Sequence, residues 1–540
     1  MMETWSTSLD FSCIQKIYGT PLYIFNTEQL IQNINDFLTL VREPANIAYP
    51  VKACPSMPVL QIISQYGLSI DCAAPAEVNM ALEAGVPYDR ILYNSPDLCM
   101  DTAQKIVNNG GTLIVNDVEQ LVSLTFLKNK SPGNIFLRWN PDIDEDRSRL
   151  TNTLTAHGRR SSQFGSSREA IMALPLKALR CIDGLHTHIG SRIISLSLFA
   201  EAVNHLHELV EDIYHRSGNK ISALNIGGGL KLAMNNDDLC PSIGEFCLFL
   251  KTFFRNDMRY TIEPGNTLVG NAMGLLTSVK TIKSRPDGGY FAIVDVGSNQ
   301  LLKYTLSGIA PSILTKHGDR LPDDGTDAIA GPLCFAGDVI LPKTCLMGLQ
   351  PGDPIFIQHC GAYCMSLSHQ FNGRFRPAVL SIEKDGRQYI SQQAEDLWFS
   401  APASAGLIWQ ADRIGHEFQH AIDVPEFLML STTVLSAIKT GERTYCFNLT
   451  CQYALSALQK LSVISRLAEA AIGDLYPRKR LAEPEGLVLL PQQEVDFSNE
   501  VSFSLYVSAG SQTSQGIRIS FGNERSLMGF FRAHILKPEV

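Results

Sequence analysis

No stretch of this chain reaches about 18 uninterrupted apolar residues, so no membrane span is expected. The residues before Tyr18 lack the charged start and apolar run of a signal peptide. There is no C-x-x-C pair. The 13 cysteines are odd in number and scattered, which suits a reducing compartment and excludes a disulfide framework. These absences set the expectation of a cytoplasmic protein. Basic charge is in deficit, with 45 Lys and Arg against 54 Asp and Glu. The net charge of −9 and the lack of a basic cluster argue against a nucleic-acid partner. No internal repeat or low-complexity tract is present. What remains is a 540-residue chain, 45% hydrophobic, with material for a large core and more than one domain.

From residue 45 to 263, β-rich apolar runs alternate with helical patterns. Eight strands are predicted, at 46–52, 68–71, 91–94, 112–115, 135–139, 182–188, 223–226 and 260–263. Helices are predicted at 57–66, 76–84, 118–127 and 198–215. Eight βα units fit a (β/α)8 barrel over residues 20–275. A doubly wound sheet is the alternative, because periodicity does not show closure. From 276 to 395 short β runs (291–296, 338–341, 354–358, 378–382) between Gly, Pro and Asp turns predict a β-rich second domain, taking residues 1–19 with it. Periodicity does not say which domain 22–26 joins. Residues 396–540 read as an extra α+β segment, with a helix at 454–471, a loop at 476–485 and β runs at 501–508 and 516–521.

Chemically suggestive residues end the barrel strands: Lys52, Asp71, Arg138, His188 and Glu263. In a barrel those ends converge on one mouth, where active sites form. A lysine closing an apolar strand must snorkel, pair or serve as an amine. Ile226-Gly-Gly-Gly-Leu230 follows a strand and can wrap a phosphate with its amides, though a tight turn reads the same way. Ile262-Glu-Pro-Gly-Asn266 puts a carboxylate at a strand end, placed to hold a cofactor's ring nitrogen protonated. His186-Thr-His-Ile-Gly-Ser191 offers two inward histidines and a hydroxyl. Such a pair also suits a metal, but no Cys/Asp set completes the site, so no metal is expected.

Taken together, the motifs resemble the fold-type III pyridoxal-phosphate decarboxylases, especially those acting on diaminopimelate and ornithine. The series runs from Gly19-Thr-Pro-Leu-Tyr-Ile-Phe25 through Tyr49-Pro-Val-Lys-Ala53, Asp71-Cys-Ala-Ala-Pro-Ala-Glu77 and Gln163-Phe-Gly165. It continues with His188-Ile-Gly-Ser191, Gly227-Gly-Gly229, Glu263-Pro-Gly265, Gly331-Pro-Leu-Cys334, Gly361-Ala-Tyr363 and Phe371-Asn-Gly373. The resemblance implies an alanine-racemase-like barrel plus a β domain, bound pyridoxal 5'-phosphate and a head-to-tail homodimer with shared active sites. It makes Lys52 the Schiff-base lysine, Glu263 the partner of the pyridine nitrogen and His188 the residue stacked on the ring. Ser191, Gly227, Gly228, Gly229 and Tyr363 would bind the phosphate, Arg138 would lie by the phenolate and Glu77 near the Lys52 end, and Asp71 and Gly265 would also be cofactor-binding. Cys334 would reach across the dimer interface and protonate the carbanion after carbon dioxide leaves.

Four departures bear on this expectation. Asn266 stands where the family usually has Arg, and Asn225 where an Asp commonly precedes the glycines. Phe335 replaces the acidic residue that meets a substrate's distal amine, and Lys303 aligns near an Arg for a distal carboxylate. Lys303, Phe335, Asp338 and Phe371 form the expected substrate pocket. The cofactor machinery is kept and the side-chain pocket altered. The expected function is decarboxylation of an amino acid, closest to diaminopimelate decarboxylase but with a modified or specialised substrate. Two alternatives stand beside it: an inactive relative acting as a regulatory or binding protein, and a bifunctional enzyme with a zinc-dependent tail. The tail reading rests on His416-Glu-Phe-Gln-His420, an H-E-x-x-H match. Gly441 before Glu442 and the β-like run after it do not offer the helix a third ligand usually occupies, so the match reads as chance.

Overall fold

The computed structural model describes residues 5–41, 43–128, 131–143, 157–234 and 240–395, and beyond these the backbone of eight strands in the tail. The chain divides into two compact units, Met1–Ser400 and Ala401–Val540.

In the first unit, strand β1 is Leu22–Asn26. Eight short parallel strands follow: β2 Ala48–Pro50, β3 Ser69–Cys72, β4 Ile91–Asn94, β5 Thr112–Val115, β6 Asn134–Arg138, β7 Gly184–His186, β8 Ala223–Asn225 and β9 Arg259–Thr261. They pair in sequence order from β2 to β9. A parallel bridge between Ile47 and Ile262 then joins the two ends, with Ala48 N donating to the Ile262 carbonyl at 2.8 Å and Ile262 N to the Asn46 carbonyl at 3.0 Å. The sheet is therefore a closed barrel, and the doubly wound alternative is ruled out. Ala48, Leu92, Ile114, Phe136 and Ala223, from five strands, form their own buried cluster. Gly184 belongs to the same packing, since a Cβ there would lie 2.5 Å from the Phe136 ring. Being covered on both faces, the strands read as continuous apolar runs.

Helices cover the outside. Leu196–Ser217 buries Leu198, Phe199, Ala202, Val203, Leu206, Leu209, Val210 and Ile213 at helical spacing. It stops at Gly218, whose φ of 72° gives the left-handed cap. Asn26 closes β1 and caps helix Thr27–Leu38, accepting from Gln29 N at 2.9 Å.

The second sheet gathers β1 with β10 Met273–Ser284, β11 Tyr290–Val294, β12 Ile313–Leu314, β13 Asp327–Ala330, β14 Val339–Thr344, β15 Pro354–Ile357, β16 Ala378–Ile382 and β17 Gln388–Gln392. β1 lies between β10, antiparallel, and β16, parallel. The expected 20–275 boundary therefore put Leu22–Asn26 on the wrong side, because its partners Leu276 and Ala378 come some 250 or more residues later in the chain. Phe11 and Ile14 of helix Phe11–Tyr18 pack onto this sheet with Leu22, Leu276 and Phe356, and the Phe11 and Phe356 rings stack at 4.9 Å.

In the second unit the six strands β18 Thr432–Gly441, β19 Thr444–Cys451, β22 Ser502–Ala509, β23 Ile517–Gly522, β24 Leu527–Ala533 and β21 Glu485–Leu489 pair antiparallel in that spatial order. The expected loop at 476–485 contains β20, Arg480–Leu481, paired with β25, Ile535–Leu536. The expected helix at 454–471 and the His416, Glu417 and His420 motif lie outside the described residues.

Candidate active site at the barrel mouth

The C-terminal strand ends assemble one cluster. Lys52 sits just past β2, on the single 3-10 turn Val51–Ala53, and its side chain is 49% exposed. Its Nζ donates to Asp71 Oδ2 at 3.4 Å, from the end of β3. Asp71 is buried and its Oδ1 has no partner. Burial and the nearby Glu263 charge push the Asp71 carboxyl up to about 7, against the pull of Lys52. Burial also works against charge on Lys52, but the Asp71 and Glu263 carboxylates outweigh it and hold the ammonium above its ordinary range. Glu77 accepts from Ala73 N at 2.6 Å and so fixes the turn after β3.

Arg138 ends β6, buried, with its guanidinium 4.4 Å from the Phe164 ring centroid. Burial lowers it to about 10 while Glu263 and Asp71 oppose the shift. The mouth thus balances two cations, Lys52 and Arg138, against two carboxylates, Asp71 and Glu263. Glu263 follows β9 and accepts from Asn225 Nδ2 at 2.7 Å, while His186 Nε2 lies 3.3 Å from the same oxygen. Burial would raise Glu263, but His186, Lys52 and Asn225 outweigh it and bring it down to about 2, so it is ionised. His188, two residues past His186 and beyond the end of β7, accepts at Nδ1 from Gly228 N at 3.1 Å. Burial first, then His157, Lys52 and Arg138, hold it well below the usual histidine range. It is a neutral imidazole whose proton is on Nε2.

The three glycines have steric reasons for being there. A Cβ on Gly228 would lie 2.0 Å from the Glu263 carbonyl oxygen, and one on Gly229 would lie 2.1 Å from that of Gly190. Gly227, at φ +69°, would press one to 2.5 Å from the Thr187 carbonyl oxygen. Two of the expected phosphate amides are taken internally, since Gly227 N donates to Asn225 Oδ1 at 2.9 Å and Gly228 N to His188. Of the expected phosphate groups, this leaves the Gly229 amide and the Ser191 and Tyr363 hydroxyls. Tyr363 comes from the second sheet's loop after β15, at φ +62°, and its N donates to the Ala53 carbonyl at 2.7 Å. A Cβ on Gly265 would meet Pro50, Ala53 and the Tyr363 hydroxyl at 3.0–3.3 Å, so this corner closes only around glycine.

Of the expected substrate residues, Phe335 and Phe371 lie on the two segments joined by the Cys334 and Asn372 hydrogen bond. Cys334 is exposed and its amide donates to Asn372 Oδ1 at 2.8 Å. Phe335 and Phe371 beside it are also exposed. Two expectations are corrected. Asp338 is buried and accepts from Ser298 N at 2.6 Å and Leu333 N at 2.8 Å, so it anchors the Cys334 loop instead of facing a substrate. Lys303 donates to the His359 carbonyl at 3.1 Å and lies over the Tyr304 ring, so its ammonium is engaged. His157 was missed: its ring lies 5.0 Å from that of His188, and burial lowers it to about 4. No motif marks it. Among the described residues no group of three His, Cys, Asp or Glu is placed to hold a metal ion, and no helix is long and apolar enough to cross a membrane.

Pyridoxal phosphate fits this mouth on the chain's own features. There is an amine at the rim, an ionised carboxylate in the floor, an unpartnered Asp71 oxygen, and a glycine cradle that any Cβ would fill. Residues 27–270 match the family model described as pyridoxal-dependent decarboxylase, pyridoxal binding domain. The diaminopimelate decarboxylase of Archaeoglobus fulgidus is 29% identical over 391 residues, 69% of this chain and 90% of that one. The Vibrio cholerae diaminopimelate decarboxylase is 28% identical over 411 residues, covering 73% and 95%. The crystal structure of the Helicobacter pylori diaminopimelate decarboxylase complexed with L-lysine superposes with a TM-score of 0.65 at 22% identity, covering 72% of this chain and 97% of that one.

Proposed function

We propose that the chain, whose residues 27–270 match the pyridoxal binding domain of pyridoxal-dependent decarboxylases, removes the α-carboxylate of an amino acid with Lys52 as the cofactor-attaching amine. One observation carries the reading: the Lys52 amine and the ionised Glu263 carboxylate face one barrel mouth whose cradle is built of glycines. When bound, pyridoxal phosphate supplies the conjugated pyridinium ring that takes up the electron pair left by carbon dioxide. Glu263 would keep a proton on the ring nitrogen, which its charged state at neutral pH allows. The neutral His188 imidazole would meet the ring face, and Arg138 the ring hydroxyl. Ser191, Gly229 and Tyr363 would hold the phosphate. Asp71 Oδ2, 3.4 Å from Lys52 Nζ, pairs with the amine and would orient it toward the cofactor.

Cys334 is assigned as the acid that returns a proton to the substrate's α-carbon, from a second copy of the chain. Its exposure on a loop of the second sheet, flanked by exposed Phe335 and Phe371, supports that placement. Phe335 also supports a substrate choice. A phenyl ring does not pair with an ammonium, and a lost charge-assisted contact is worth about 1.5–3 kcal/mol, or about one to two decades in specificity. Lys303, tied to the His359 carbonyl, is engaged within its own chain. The substrate is an amino acid whose distal end is uncharged or acylated. A carbon-dioxide release screen over diamino acids, acidic amino acids and N-acylated amino acids tests this. The expected result is preference for the acylated group, with Phe335→Glu raising relative activity on diamino acids. Ordinary turnover of meso-diaminopimelate by the wild type would overturn the substrate assignment.

A further inference from the structure

Asn225 is hydrogen-bonded to Glu263, the carboxylate that would meet the cofactor's ring. It is wholly buried at the end of β8. Its Nδ2 donates to Glu263 Oε1 at 2.7 Å and its Oδ1 accepts from Gly227 N at 2.9 Å. The next amide, Gly228 N, donates to His188 Nδ1 at 3.1 Å, and Glu263 N donates back to the Gly227 carbonyl at 2.7 Å. A continuous run of hydrogen bonds therefore links the floor carboxylate to the imidazole through the glycine turn. Only a side chain with one donor and one acceptor completes it.

We propose that Asn225 is a positioning residue that fixes Glu263 in its orientation as an acceptor and, through the Gly227–Gly228 turn, holds His188 in the Nε2-protonated form. This deepens the reading of the mouth as a pyridoxal-phosphate site and rests on it. The charged and titratable groups around Glu263 are Lys52, Asp71, Arg138, His186 and Tyr363. An aspartate at 225 would add a second carboxylate at hydrogen-bond distance from Glu263, and the two would share one proton. While that proton is held, the carboxylic acid donates and accepts as the amide does. Once it is lost, both oxygens facing each other are negative.

The test uses the cofactor-loaded enzyme. The visible absorbance of the bound cofactor and the dissociation constant for pyridoxal phosphate are followed against pH for wild type, Asn225→Asp and Asn225→Ala. Asn225→Asp should gain one titration step that wild type lacks, near wild type on its acid side and weaker for cofactor by about tenfold on its alkaline side. Asn225→Ala should be weaker by about tenfold at every pH, with no added step. A merely structural role would not give recovery on the acid side. Asn225→Asp impaired equally at all pH, or both variants matching wild type, would overturn the proposal. Nitrogen-15 spectra of His188 in the wild type supply a measurement that needs no variant: protonated Nε2 is expected, and protonated Nδ1 contradicts it. A wild type that binds no pyridoxal phosphate at Lys52 would sink the underlying reading instead.

Discussion

Asp71 carries the clearest acid–base consequence of any single residue. In the unfolded chain it titrates as an ordinary aspartate, near 3.9. In the folded, cofactor-free chain burial and Glu263 push it up to about 7. Between those values the folded state binds a proton the unfolded state does not. This group's contribution therefore falls as pH rises from about 4 through about 7. His157 and His188, kept neutral by burial, have the opposite slope below their ordinary range, so the comparison must be between chains. Relative to Asp71→Asn, wild-type melting temperature should fall by ~2 °C or more between about pH 5 and pH 8. Parallel profiles for the two chains would show that Asp71 is not so perturbed. At this scale Lys52, Asp71, Arg138, His188 and Glu263 were legible because each ends a strand or sits just past one. Motif order named Asp338 and Lys303 too, but it says nothing about which way a side chain's partners lie, and both turned inward. His157 stands in no motif and meets His188 only through the fold.

The barrel strands were legible as apolar runs because both faces of each are covered. Four predicted helices match observed ones within two residues: Met57–Gln65, Pro75–Glu83, Val118–Lys128 and Leu196–Ser217. Thr27–Leu38, Met100–Asn108 and Ile243–Lys251 were missed. β10 was missed as well: its first seven residues are buried and four of its last five are exposed, so no single period runs through it. Closure of the barrel and the allegiance of Leu22–Asn26 depend on pairings across hundreds of residues, which no local pattern carries. The turn holding Lys52 was read as strand. It is instead a short 3-10 turn at the barrel rim, fixed from the other sheet by the Tyr363 amide on the Ala53 carbonyl.

For the whole molecule, the account places catalysis in the unit Met1–Ser400. Cys334, Phe335 and Phe371 stand exposed on its second sheet's loops, and the proposed chemistry gives them a use only against another chain's barrel mouth. The active species should therefore sediment as a dimer under assay conditions, and Cys334→Ala should retain cofactor while turning over more slowly. An active monomer would contradict the shared site. The central claim, that Lys52 is the amine through which this chain decarboxylates, is tested most directly by borohydride reduction of the pyridoxal-phosphate-loaded enzyme. Peptide mapping and carbon-dioxide release are then measured on the wild type and on Lys52→Ala. The account predicts cofactor fixed on Lys52 in the wild type, and neither visible band nor carbon-dioxide release in the variant. Label on another lysine, or wild-type release by Lys52→Ala, would contradict it.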